Sequence, residues 1–130
     1  MDKVDNTSKI DERYIEDALA AYLYKWLDNH YEPLPLLHQI SNEDILEACE
    51  PYTDNSILHT IAEFEVEGKV MSMEVTFTPS ELVKAIMMGD YNIEPEELDK
   101  PITVEGLVKV CRSAYHNLIS DKVKAAKSNN

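Results

Sequence analysis

His59, Glu63 and Glu74 are placed on one face of a β-hairpin by the alternation of residues 58–77, and a histidine with two carboxylates has the chemistry of a metal or acid–base site. Strand surfaces carry such residues routinely, so the face reads first as solvated and polar. Cys49 stands between Ala48 and Glu50, and a neighbouring carboxylate raises a thiol's pKa and works against a nucleophile. His30, His38 and His116 are scattered, neither HExxH nor GxSxG occurs, and Gly68, Gly89 and Gly106 lie too far apart for a phosphate loop. No catalytic residue, metal site or cofactor is expected, and the chain reads as non-enzymatic.

Tyr14, Tyr22 and Trp26 align at helical spacing and resemble a stacking platform for bases. They share their stripe with Ile15, Ala18 and Leu19, which makes them core residues. The formal charge of −13 also opposes direct nucleic-acid binding, which rests on a basic footprint.

The distribution of charge is more informative than its sum. No lysine or arginine occurs from Trp26 to Gly68, a stretch that holds ten acidic residues. Beyond residue 99, Lys100, Lys109, Arg112, Lys122, Lys124 and Lys127 face Glu105 and Asp121, a local balance of +4 that leaves −17 on the first 99 residues. Lys109, Arg112 and His116 fall together on the polar side of the last helix. An acidic surface built from Glu43, Asp44 and Glu47 on a short helix and Glu63, Glu65 and Glu67 on the hairpin is the candidate binding site. Its expected partner is another protein with a basic surface, held by long-range attraction or by imitation of phosphate rows.

The elements that must position these residues make an α+β fold, with four amphipathic helices on a two-stranded antiparallel hairpin. A first helix over 11–29 presents Tyr14, Ile15, Ala18, Leu19, Tyr22, Leu23, Trp26 and Leu27 on one side, with Arg13 and Asp17 as an i, i+4 pair opposite. Pro33 and Pro35 end it and open an apolar strap. Ser41 and Asp44 form a capping-box variant for a helix from Asn42 to about Glu50.

Glu67-Gly68 suits a two-residue turn that pairs Val66 with Lys69. That register puts Leu58, Thr60, Ala62, Phe64, Met71, Met73, Val75 and Phe77 on the inner face, and His59, Ile61, Glu63, Glu65, Val70, Ser72, Glu74 and Thr76 outside. Thr78-Pro79-Ser80-Glu81 caps a third helix that stops at Gly89. After an acidic connector over 92–99, a last helix carries Val104, Leu107, Val108, Cys111, Ala114, Tyr115, Leu118 and Ile119 inward, with packing expected to end near Ser120. The hairpin's apolar face needs cover, expected from the first and last helices. Its open edges allow a second reading, a self-associating assembly protein that forms a homodimer by extending the sheet.

A chain of 130 residues with 44% apolar content sustains one packed domain, read as residues 10–121 between a loose tail over 1–9 and a fraying basic tail over 122–130. No apolar run approaches the roughly 20 residues of a membrane span, and the polar N-terminus lacks a secretory core, so a cytoplasmic location is expected. Cys49 and Cys111 read as buried thiols. In small size, acidity, few glycines and lack of catalytic motifs, the chain is similar to the inhibitory and accessory proteins of phages and mobile elements and to immunity proteins. That resemblance is one of type and carries over no residue.

Overall fold

The structure, a computed structural model, describes residues 15–52 and 56–128. The expectations for residues 1–14, including the 1–9 tail and the Arg13 and Tyr14 contributions to the first helix, lie outside these residues, as do Asp54 and residues 129–130. Among the described residues, five helices and one hairpin make the α+β architecture: α1 Ile15–His30, α2 Asn42–Ala48, β1 Leu58–Val66, β2 Lys69–Phe77, α3 Pro79–Met87, α4 Pro95–Leu98 and α5 Val104–Ser128. Single 3₁₀ turns at Leu37–Gln39 and Glu50–Tyr52 flank α2.

Helix α1 buries Ile15, Leu19, Leu23 and Leu27, a strict four-residue spacing that draws one seam along the helix. Ala20 joins the core, whereas Tyr22 is 40% exposed, so the seam is narrower on one side than expected. The seam faces α5, which buries Leu107, Val110, Cys111 and Ala114. Helix α2 packs on α1 and α3, and α3 in turn packs on α5. The strap after α1 is tied by its backbone, as Leu36 bridges to Pro101 and the Ile102 N–H donates to the Pro35 carbonyl at 3.0 Å.

Helix ends follow their local signals. The Ser41 hydroxyl accepts from the Asp44 amide, and Thr78 and Glu81 form a reciprocal capping box with Pro79 at the first helical position. Gly89, at φ 72°, closes α3 with a Schellman pair: Gly89 N–H donates to the Ile86 carbonyl and Asp90 N–H to that of Ala85. Helix α2 stops at Ala48, two residues short of expectation, because Pro51 removes a donor and the chain tightens into the 3₁₀ turn.

Two features depart further from the sequence reading. The acidic connector contains a helical turn, α4, started by Pro95 and fastened by a His38 contact to the Leu98 carbonyl at 2.9 Å. Helix α5 runs on to Ser128, past the expected end of packing near Ser120, and Val123 is only 8% exposed. Lys122, which looked incompatible with the apolar stripe, reaches across to Glu81 at 3.1 Å.

Candidate binding surface

The hairpin holds the expected register at every position, from Leu58 opposite Phe77 to Val66 opposite Lys69. Glu67 at φ 52° and Gly68 at φ 82° both take positive angles, which makes a type I′ turn whose twist matches the strands. Leu58, Val75 and Phe77 are buried at the base, and the Phe77 ring meets Tyr115 of α5 edge-on at 5.4 Å. Cover comes mainly from α5, on which β2 packs, while α1 makes its main contact with α5 itself. Burial therefore fades toward the turn: Thr60, Ala62, Phe64 and Met73 are partly covered and Met71 is exposed. Every residue of the tip, from Glu65 to Met71, is exposed, so the hairpin ends as a solvated arm.

The outer face of that arm is chemically mixed. Ile61 is 64% exposed and Val70 72% exposed, with Glu63 and Glu65 standing between and beside them. Of the three groups considered for catalysis, His59 and Glu74 pair across the strands, Nδ1 to Oε2 at 2.8 Å, with both side chains more than half exposed. Glu63 takes no part in that pair. Among the described residues, no three histidine, cysteine or acidic groups converge on a metal-binding arrangement.

The six predicted acidic residues fall on two separate surfaces. Glu63 and Glu65 share the outer sheet face and Glu67 sits in the turn, whereas Glu43, Asp44 and Glu47 belong to α2, which makes no substantial contact with the hairpin. Asp44 is engaged by the Tyr31 hydroxyl, which donates to its carboxylate; that hydrogen bond raises the Tyr31 pKa. Among the described residues, Glu43, Glu47, Glu63, Glu65 and Glu67 form no ion pair.

The basic segment, by contrast, is engaged within the molecule. Arg112 grips Asp17 on α1, Lys109 lies 3.5 Å from Glu97 on α4, Lys122 pairs with Glu81 on α3, and the Lys127 ammonium sits 5.0 Å from the centre of the Phe64 ring. Burial pushes the Glu81 carboxyl up, but the Thr78 amide and the Lys122 ammonium outweigh it and hold its pKa below the ordinary value. Of the expected cluster of Lys109, Arg112 and His116, the two cations are thus divided between fastenings to different elements. Sequence spacing put these residues on one helix face and carried no signal of their partners 12 to 95 positions away.

A depression of about 730 Å³ lies between the connector and α5, lined by Tyr91, Asn92, Ile93, Glu94, Glu97, Lys109 and Arg112. Two of its groups shift. Burial raises the Tyr91 pKa and the Asp17 hydrogen bond raises that of Arg112, so both move away from the range in which they exchange protons near neutrality. A second groove, about 310 Å³, runs beside β1 above α5. No helix among the described residues is long and apolar enough to cross a membrane. No protein-family model matches the chain, and no match was found among curated proteins or solved structures.

Proposed function

We propose that this chain is a non-enzymatic protein-binding module, a small acidic inhibitor or adaptor whose hairpin arm engages a basic or nucleic-acid-handling protein. The reading is carried by the outer hairpin face, where Ile61 and Val70 stand in water beside two glutamates that no cation pairs among the described residues. Exposed aliphatic side chains on one face offer area to bury, and flanking carboxylates steer a basic partner toward it. Internal use of the α5 cations supports it further, because Lys109, Arg112 and Lys122 are spent on Glu97, Asp17 and Glu81 and leave the hairpin carboxylates without a cationic partner among the described residues. Glu43 and Glu47 on α2 contribute to the same long-range field.

The test is charge reversal at exposed positions, which leaves the fold intact. Glu63→Lys with Glu65→Lys loses the partner that the wild-type chain captures from its native host. Glu43→Lys with Glu47→Lys weakens capture less, through the field alone, and both effects shrink as salt is raised. Undiminished capture of the same partner by the hairpin double variant overturns the proposal.

A further inference from the structure

We infer that the free edge of β1 accepts an extended segment of the partner, one that alternates basic and apolar residues, as an added strand of the sheet. The inference rests on the binding role proposed above and specifies its chemistry. Its starting point is the hydrogen-bond pattern of the hairpin. A two-residue turn makes Val66 and Lys69 a hydrogen-bonded pair, and in an antiparallel ladder such pairs recur at every second position. The backbones of Leu58, Thr60, Ala62, Phe64 and Val66 are therefore turned toward β2. Those of His59, Ile61, Glu63 and Glu65 point away from it, and among the described residues they form no hydrogen bond.

Such an edge is ordinarily blunted by a bulge, a proline or a lysine. Strand β1 has none of these: its nine residues pair without interruption and include neither proline nor lysine. Beside this edge runs the groove of about 310 Å³, with Thr60, Ala62 and Phe64 on the strand side and Tyr115, Ile119 and Val123 on the α5 side. An added strand would lie over that groove. Its inward side chains would cover Ile119 and Val123, so they are apolar. Its outward side chains would lie alongside Glu63 and Glu65, so they are basic. Lys127, the cation placed over Phe64, belongs to the helical wall, whereas the carboxylates stand on the opposite side of the sheet. The charge pattern thus matches the two-residue period of a strand. Edge pairing with a second copy lacks this complementarity, since that copy brings another −13 and the same Glu63 and Glu65.

The experiment uses the full chain and a capped octapeptide of alternating lysine and valine. Two further versions carry N-methyl groups, one on the lysine nitrogens and one on the valine nitrogens. Methylation removes a backbone donor and leaves charge and side chains in place. An added strand turns only one of these sets toward β1, the lysine set if it runs antiparallel and the valine set if parallel. Calorimetry is expected to show binding of the parent, at least tenfold weaker binding when the inward set is methylated, and little change for the other set. In hydrogen exchange, the amides of His59, Ile61, Glu63 and Glu65 become protected with the parent peptide and not in concentrated protein alone. Equal effects of the two methylated sets, or no binding of the parent at millimolar concentration, overturn the inference. Protection of the same four amides by protein concentration alone also overturns it, because the occupant is then a second copy. The proposed function fails separately, through undiminished capture by the Glu63→Lys, Glu65→Lys variant; a capture lost on charge reversal with methylation-insensitive binding leaves that function standing and removes only strand addition.

Discussion

Arg112 donates two hydrogen bonds to the Asp17 carboxylate, Nε to Oδ1 at 2.9 Å and Nη2 to Oδ2 at 2.8 Å, and so joins α5 to α1 across 95 positions of sequence. The bidentate geometry suits a planar guanidinium and would not survive replacement by lysine. The Arg112 hydrogen bond holds the Asp17 pKa below its ordinary 3.8. A depressed carboxyl contributes stability that is fully present above the ordinary value and is lost as pH falls through the lowered one. Asp17→Asn is therefore expected to lower Tm at neutral pH and to converge with the wild type in strong acid, as read from thermal unfolding across that range.

Glu16, one position earlier, has the opposite linkage. Burial raises its pKa above 4.5, a hydrogen bond with its own backbone offsets part of that, and its Oε1 is buried without a partner. An ionised group held this way weakens the fold at neutral pH, and the penalty disappears as pH falls below 4.5. Glu16→Gln is expected to stabilise by roughly 0.5 to 1 kcal/mol at pH 7, after discount for its partial exposure, and to be neutral in acid. Denaturant unfolding at the two pH values checks both the sign and its disappearance.

The turn offers a separate test of conformational strain. Glu67 has a positive φ that asparagine adopts more readily, so Glu67→Asn is expected to stabilise the hairpin by about 0.5 kcal/mol. Gly68→Ala is expected to cost about 1 kcal/mol, and through backbone angle alone, because nothing lies within 4 Å of an added Cβ. If Glu67 also contributes to the acidic field, Glu67→Asn binds the partner more weakly while melting at a higher temperature.

Both thiols are expected to be inert in the folded chain. Cys49 and Cys111 are fully buried; burial pushes the Cys49 pKa up to about 12 and that of Cys111 higher still. Only the thiolate reacts, so an aromatic disulfide reagent at pH 8 modifies them at the rate at which the protein opens. Denaturant should accelerate both modifications together, and rapid labelling of either thiol under native conditions would contradict the buried placement.

The hairpin was fully legible in the sequence because its signal is local. A two-residue turn and a two-residue period together permit one register, and slipping it would turn Leu58, Val75 and Phe77 to water. The caps at Ser41, Thr78 and Gly89 were legible for the same reason, since each is a contact between residues no more than five apart. Helix α4 was missed because Pro95–Leu98 is too short to show an apolar period. Val123 was missed because Lys122 was weighed as a charge on an apolar stripe; its ammonium instead reaches Glu81 and leaves the stem along the core edge.

The sequence by itself determined the elements, the two faces of the sheet and the excess of negative charge, all of which follow from neighbours along the chain and from composition. Only the tertiary structure decided how that charge is displayed. Whether a lysine or arginine compensates a surface depends on which carboxylate it reaches through space, and α5 turns its cations onto Asp17, Glu81 and Glu97 and away from Glu63 and Glu65. Among the described residues the same packing leaves the edge of β1 uncovered, since one helix beneath a two-stranded sheet cannot shield both its face and its edges.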